Sequence, residues 1–361
     1  MNIVILGLSI TSSWGNGHAT TYRGLVRELA NQGHEVLFLE RDQPWYAAAR
    51  DLPNPPFGKT QLYDSLAELD RDHAEAVRTA DAVIVGSYVP EGIAVGRWVL
   101  DAARGLVAFY DIDTPVTLAA LEAGKCVYLD AELVPRYDLY LSFTGGPILE
   151  RLQSEFGARR TRPLYCAVDP DTYFPEPEPQ RWATGYLGTY SADRQPHLQS
   201  LLLEAARQRP DSRFVVAGAQ YPSQIEWPEN VEHIEHIAPA GHRGFYNAQR
   251  YTLNLTRAAM TAAGYSPSVR LFEAAACGVP VISDWWNGLD TFFAPGREIL
   301  IADDTVQVLH YLDQLDAEQA KTIGHRARTR VLSEHTAAHR ARELTACLES
   351  IHRRRATRRF A

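Results

Sequence analysis

Short apolar runs alternate with segments of helical periodicity along nearly the whole chain, and one proline-rich stretch interrupts the alternation near its middle. In the first half, residues 2–8 read as a buried strand and residues 19–31 as a helix with Leu25, Val26 and Leu29 on its apolar side. Gly33 stops that helix before a second strand at 35–39, which completes a βαβ unit. Further strands are expected at 82–86, 106–111 and 137–143, each followed by a segment that can be helical. Such alternation specifies a parallel sheet covered by helices on both faces. From Asp169 to Pro179 the chain carries four prolines and no periodicity, the texture of a linker.

The alternation then resumes, with strands expected at 185–189, 213–218, 231–234, 252–255, 279–283 and 298–301. The fold class that follows is α/β with two successive Rossmann-like, doubly wound domains, 1–168 and 181–334, joined by a linker at 169–180. A length of 361 residues fits two such domains. Ligands of these sheets lie beyond the carboxyl ends of the strands, so a site in a cleft between facing domains is expected. A last helix over about 335–352 is long enough to cross back to the first domain, and 335–361 ends in an arginine-rich tail.

Composition narrows the function classes. At 45% hydrophobic and 22% charged residues, disorder, collagen and coiled coil are excluded as descriptions of the whole chain. No apolar run approaches the ~20 residues that span a bilayer, and Met1 leads directly into Asn2-Ile3-Val4-Ile5-Leu6 without the features of a signal peptide, so a cytoplasmic protein is expected. Cys126, Cys166, Cys277 and Cys347 show no CxxC spacing and read as buried small hydrophobes rather than disulfide or zinc residues. A net charge of -8 argues against general nucleic-acid binding. The tail residues Arg353, Arg354, Arg355, Arg358 and Arg359 could still draw the chain to anionic lipid or nucleic acid, or simply form a frayed helix end.

Four stretches could carry chemistry. Gly15, Asn16, Gly17 and His18 open the first helix, whose free N–H groups suit an anion or a sugar oxygen on the acceptor side. His18 is either a helix cap or a catalytic group. Position 20 is Thr where a dinucleotide fingerprint has its third Gly, yet Glu40 ends the second strand where a ribose-binding acid belongs, which keeps a nicotinamide-dependent oxidoreductase open. Asp111 and Asp113 stand at i and i+2 on a strand end, so they are expected to face the same way and serve a cation, a sugar hydroxyl or a proton transfer. Asp113 before Thr114-Pro115 also looks like an N-cap.

In the second domain, Gly188 would let a ligand approach the backbone, Tyr190 follows it, and Arg194 could pair with phosphate oxygens. The segment 264–284 is a Gly/Ser loop containing Ser266, a helix bearing Arg270 and Glu273 on one face, a Gly278 stop and a buried strand. Its helix N-terminus and Arg270 could hold a diphosphate while Glu273 accepts both hydroxyls of a ribose. An internal Arg270–Glu273 ion pair is the plainer reading.

The run F-E-A-A-A-C-G-V-P-V-I-S-D resembles the donor signature of GT-B glycosyltransferases of group 1, in particular their CgeB-like (spore maturation protein) branch. W-G-N-G-H-A-T-T-Y-R-G, D-I-D-T-P, L-V-P-R-Y-D-L-Y-L-S, A-V-D-P-D-T-Y, L-N-L-T-R and V-L-S-E-H-T-A-A-H-R extend that resemblance over most of the chain. It implies a GT-B fold, with Glu273 in the ribose-binding position and Arg194 in the phosphate-binding position. Group-1 enzymes carry another Glu eight positions before the ribose Glu, where this chain has Tyr265, so no stereochemistry is implied. His197 and Leu198 occupy the neighbourhood of a family Lys, and Arg257 or Arg270 is expected to replace its charge.

The expectation is therefore a glycosyltransferase, hexosyl transfer foremost, that uses a UDP-, GDP- or dTDP-sugar as co-substrate and an unidentified acceptor, with neither metal nor other cofactor. Asp113 or His18 would be the base if it inverts. The alternatives are the oxidoreductase and a catalytically silent nucleotide-sugar binding protein of the same fold.

Overall fold

A computed structural model of the chain describes residues 1–15 and 17–359, the last four of these by their backbone alone. It separates into two compact units, one made of Met1–Ala167 with the terminal helix Ala337–Arg359, the other of Val168–Thr336.

The first unit contains β1 (Asn2–Gly7), β2 (Glu35–Arg41), β3 (Lys59–Tyr63), β4 (Ala82–Gly86), β5 (Leu106–Asp111), β6 (Leu139–Ser142) and β7 (Thr161–Pro163). All pair in parallel, in the order β3-β2-β1-β4-β5-β6-β7. The order reverses between β1 and β4, where the loops after these strands diverge and leave a crevice at the carboxyl edge. Apolar residues of β1, β4 and β5 pack against Tyr22, Leu25, Val26 and Leu29 of helix His18–Asn31, and that helix also packs on Leu344, Leu348 and Ile351 of helix Ala337–Arg359. The terminal helix thus returns to the first unit. It runs beyond residue 352, and Arg355 ties it to Asp138 and to the Gly105 carbonyl. The side chains of Arg358 and Arg359 lie outside the described residues.

The second unit repeats the plan with β8 (Trp182–Leu187), β9 (Phe214–Ala217), β10 (Val231–Ile234), β11 (Gln249–Asn254), β12 (Val281–Ser283) and β13 (Leu300–Ile301). These strands are also parallel, in the order β10-β9-β8-β11-β12-β13, and the reversal falls between β8 and β11. The helix that follows β8 carries a π-helical segment, Gln199–Leu203, between Gln195–Leu198 and Glu204–Gln208. The proline-rich segment is irregular yet firmly docked on the second unit. Tyr173 is buried, Asn247 bonds both the Glu176 amide and the Phe174 carbonyl, and Arg243 stacks on Phe174 while pairing with Glu176.

Cys166 and Cys277 are buried as expected, whereas Cys126 and Cys347 are only half-buried. Among the described residues no helix is long and apolar enough to cross a membrane.

Candidate functional site

Two clusters of polar side chains stand at the two carboxyl-edge reversals. In the second unit, β8 ends at Leu187 and the chain turns through Gly188 towards helix Gln195–Leu198. Arg270 comes from helix Val269–Ala276, which follows β11, and lies across this turn. Its Nε donates to the Leu187 carbonyl, its Nη1 donates to Asn254 Oδ1 at 3.2 Å, and its guanidinium stacks 4.8 Å from the centre of the Tyr186 ring. Gly188 permits this packing, since a Cβ there would sit 2.8 Å from Arg270 Nη2 and 2.6 Å from the Tyr186 hydroxyl and would force one of them to shift.

Arg194 adds a second guanidinium. Its Nη2 donates to the Thr189 carbonyl at 2.7 Å, while its Nε is buried without a partner among the described residues. Burial lowers its pKa, and repulsion from Arg270 and Arg257 lowers it further. The Tyr186 hydroxyl is likewise buried without a partner among the described residues. Three arginines therefore share one electrostatic neighbourhood, where desolvation raises the cost of the Arg194 charge.

Asp193, which feels the charges of Arg257 and Arg194, is already used. It accepts from the Ser191 hydroxyl and, at 2.8 Å, from the Ala258 amide, which ties the turn after β8 to the loop after β11. Ser268 precedes helix Val269–Ala276 but donates to Asn254 Oδ1 at 2.7 Å, so its own side chain does not cap that helix. Buried donors, a helix start whose N-cap side chain bonds elsewhere and neighbouring guanidinium groups are the chemistry that suits a multivalent anion.

The Arg270–Glu273 ion pair is not formed. The side chains diverge from their shared helical face, and Glu273, only 5% exposed, accepts at 3.0 Å from the Tyr246 hydroxyl. Tyr173 is buried beside it, and the Glu273 charge helps to raise the Tyr173 pKa, after burial as the main cause. Tyr190 stacks edge-on with Tyr221, whose hydroxyl donates to the Gly188 carbonyl at 3.1 Å. The Ser266 hydroxyl points to Met260 Sδ at 3.1 Å. Tyr265 adopts a left-handed φ of 47° and its ring covers Gly288.

In the first unit, the turn after β4 brings Tyr88 forward with a left-handed φ of 62°, a strained conformation for a bulky residue. Its hydroxyl donates to Asp113 Oδ2 at 3.0 Å, and its ring meets His18 edge-on at 5.4 Å and Tyr128 at 4.5 Å. His18 is the first residue of its helix and no cap, because the capping position falls to Gly17. Burial pushes its imidazole down to about 4, so it is neutral at pH 7, and its Nδ1 is buried without a partner among the described residues. Asp113 does occupy a capping position, but its carboxylate turns to Tyr88 instead of the helix amides.

Asp111 corrects the expectation of two carboxylates facing the same way. It is fully buried, accepting from Tyr140 at 2.6 Å, from Thr117 at 2.7 Å and from the Asp113 amide at 3.2 Å, and burial raises its pKa to about 6. The strand ends at Asp111, so side-chain alternation does not reach Asp113, and Asp111 has no exposed oxygen to offer a sugar.

Glu40 supplies a second correction. Its two oxygens receive four bonds, from the Ser9 and Thr11 hydroxyls and the Ile10 and Thr11 amides, at 2.6–3.1 Å. The carboxylate that the nicotinamide reading needs for a ribose is consumed in holding the loop after β1. Gly15 (φ 66°) and Gly17 are exposed, with open space around them, and Asn16 lies outside the described residues. Sequence reasoning missed Tyr88, Tyr186 and Asn254; only their places at the ends of β4, β8 and β11 signalled them.

Residues 194–346 match the Glyco_trans_1_2 family, described as glycosyl transferase-like. No curated protein matches the chain. Among solved structures, sucrose-phosphate synthase from Thermosynechococcus elongatus superimposes with a TM-score of 0.67 at 15% identity, covering 97% of this chain and 99% of that one. HepE from Anabaena in complex with UDP-glucose gives 0.69 at 14% identity, over 96% and 99% of the two chains. An alpha-glucosyltransferase in complex with UDP and DNA gives 0.71 at 13% identity, over 96% and 99%. The two parallel sheets with their returning terminal helix and these superpositions over nearly full length identify the chain as a GT-B-fold protein whose carboxy-terminal half is glycosyl transferase-like.

Proposed function

We propose that the chain is a glycosyltransferase of the CgeB-like branch that moves a hexosyl group from a UDP-, GDP- or dTDP-sugar to an acceptor hydroxyl without a metal ion. The observation that carries this reading is the convergence of Arg194, Arg257 and Arg270 with a buried, unpartnered Arg194 Nε. In the reaction the bond from the anomeric carbon to the diphosphate breaks, its electron pair leaves with the phosphate oxygen, and the acceptor oxygen takes its place. The arginines and the helix start beside them neutralise the departing diphosphate; one lost donor at such a site costs about 3–4 kcal/mol. Tyr246 orients Glu273 for a ribose hydroxyl. With inversion, Asp113 or His18 takes the acceptor proton; with retention, the departing phosphate oxygen takes it.

UDP-glucose stands first among donors to test, because it is bound in the HepE structure. Calorimetric titration with UDP, GDP and dTDP, each with and without EDTA, should give one nucleotide a clear affinity that EDTA leaves unchanged. Affinity that vanishes in EDTA and returns with Mn²⁺ would overturn the metal-independent reading, and no affinity for any of them would overturn the assignment. A silent binding protein is the second reading, favoured by Tyr265 in place of the family acid. Donor hydrolysis by the full chain, followed by NMR without acceptor, separates it from the enzyme.

A further inference from the structure

The proposed reaction leaves one buried carboxylate of the second unit without a task. Asp284 follows β12 directly, is 5% exposed, and has its pKa raised by burial, against which its bonds to Thr256 and the charge of His197 act. Keeping a charge out of water is costly, so its partners must be worth holding. Its Oδ1 accepts from the Thr256 hydroxyl at 2.9 Å, and the Thr256 amide donates to both of its oxygens at 3.1 and 3.2 Å.

The Thr256 hydroxyl has one proton to give. Given to the carboxylate, it leaves the oxygen as an acceptor, and Asn254 Nδ2 donates to that oxygen at 3.2 Å and to Ser283 Oγ at 2.9 Å. This fixes which way the Asn254 amide faces. Its Oδ1 accepts from Ser268 Oγ at 2.7 Å and from Arg270 Nη1 at 3.2 Å, so both N–H groups and both lone pairs of a fully buried amide are in use. Turned over, the amide would set its N–H groups against a guanidinium, which has only donors. Asn254 and Ser283 are register partners at the ends of β11 and β12, two neighbouring strands of the sheet, which gives the arrangement a rigid base. A chain of hydrogen bonds thus runs from Asp284 through Thr256 and Asn254 to Arg270, and in a low-dielectric interior its links polarise one another.

The indirect connection suits a site for an anion. A carboxylate paired directly with Arg270 would neutralise it and compete with phosphate oxygens for its fork. With a hydroxyl and an amide in between, Nη1 is held while the guanidinium keeps its charge. Nε is held by the Leu187 carbonyl, and Nη2 lies beside Gly188, where no side chain stands in the way. Resting on the glycosyltransferase reading, we infer that Asp284 is a positioning residue that, through the Thr256 hydroxyl and the Asn254 amide, sets the Arg270 guanidinium for the departing diphosphate.

The test is calorimetric titration of the full chain with UDP, GDP and dTDP, on Asp284→Asn, Thr256→Val, Thr256→Ser, Arg270→Lys and the double variant Asp284→Asn/Arg270→Lys, with circular dichroism and melting curves as controls of folding. Three roles for Asp284 give different outcomes. A bare negative charge near the site would repel the diphosphate, so its removal would tighten binding. A purely structural residue would lower the melting temperature and leave the affinity of the folded chain unchanged. Positioning should make Asp284→Asn bind the nucleotide about tenfold more weakly, within the range of couplings inside one hydrogen-bond network. Thr256→Val keeps the carboxylate but loses the hydroxyl and should weaken binding as well, Thr256→Ser should recover most of that loss, and Asp284→Asn should cost nothing further in the Arg270→Lys background. Tighter or unchanged binding by Asp284→Asn, wild-type affinity in Thr256→Val, or a loss that adds to that of Arg270→Lys would overturn the inference. Should Asp284→Asn fail to fold, the two Thr256 variants decide. A wild-type chain that binds none of the three nucleotides would instead strike at the donor-site reading, which leaves the two failures distinguishable.

Discussion

The guanidinium of Arg270 lies over the ring of Tyr186, 4.8 Å from its centre, and spends two of its nitrogens on the Leu187 carbonyl and on Asn254. An ammonium can reproduce neither the stacking nor the fork. Arg270→Lys should therefore lower the melting temperature by several degrees, in keeping with about 1–3 kcal/mol for a buried charged hydrogen bond, and weaken nucleotide binding at least tenfold. Differential scanning fluorimetry and UDP titration check both. A variant that melts and binds like the wild type would refute the donor-site role.

Arg194 should behave in the opposite way towards stability. Its burial and its repulsion from Arg270 and Arg257 make it a charge that the protein tolerates at a cost, with one bond to the Thr189 carbonyl in return. Arg194→Ala should leave the ligand-free melting temperature unchanged or higher, while UDP affinity falls by at least about tenfold, or ~1.4 kcal/mol. A large drop in stability with intact binding would show Arg194 to be a structural residue.

How far the sequence carries can be judged from particular elements. β4 and β5 fall on the residues their apolar runs mark, because a strand buried on both faces leaves an unbroken hydrophobic signature. β3 and β7 were not foreseen: they lie at the edges of their sheet, and Lys-Thr-Gln-Leu-Tyr and Thr-Arg-Pro offer no such run. Local spacing placed Arg270 and Glu273 on one helical face, but their partners lie 83 and 27 residues away in sequence and draw the side chains apart. The role of Tyr88 depends on a backbone strain and a tertiary contact to Asp113 that no periodicity encodes.

That contact yields a graded prediction. If Asp113 takes the acceptor proton, Asp113→Asn should slow turnover by a hundredfold or more, the order of magnitude of general-base catalysis. Tyr88→Phe keeps the ring packing on His18 and Tyr128 but frees the carboxylate to rotate, so its loss should be smaller and confined to turnover. Single-turnover rates, with UDP affinity as the control, decide. Full activity in Asp113→Asn would transfer the base role to His18 or remove it altogether.

Glu40 holds four donors of the loop after β1, and among the described residues none of them has an alternative acceptor once the carboxylate is gone, apart from the Ser9 hydroxyl, which also reaches the Ser12 carbonyl. Glu40→Ala should cost about 3 kcal/mol or more, at roughly 1–3 kcal/mol for each unpaired buried donor. Glu40→Gln should cost less, since its amide oxygen can still face the two backbone amides and the hydroxyls can turn to accept from its nitrogen. UDP affinity should survive in Glu40→Gln, and NADH should bind neither the variant nor the wild type. Saturable NADH binding by the wild type would restore the nicotinamide reading.

Acid stability should show two opposing titrations at the carboxyl edge of the first unit. His18 has a folded pKa near 4 against 6.5 unfolded. Between these values the unfolded chain holds more protons, so this group withdraws stability as pH falls from about 6.5 to 4. Asp111 has a folded pKa near 6 against 3.8 unfolded, so the folded chain holds more protons in that window and this group adds stability as pH falls from about 6 to 4. The two terms largely offset each other in the wild type and separate in the variants. The stability difference between wild type and His18→Gln should shrink in favour of the variant as pH drops from 6.5 to 4. For Asp111→Asn the difference should grow in favour of the wild type over the same range. Urea unfolding at half-unit steps of pH measures both differences, and slopes of the same sign in the two variants would contradict the assigned burial of one of the groups.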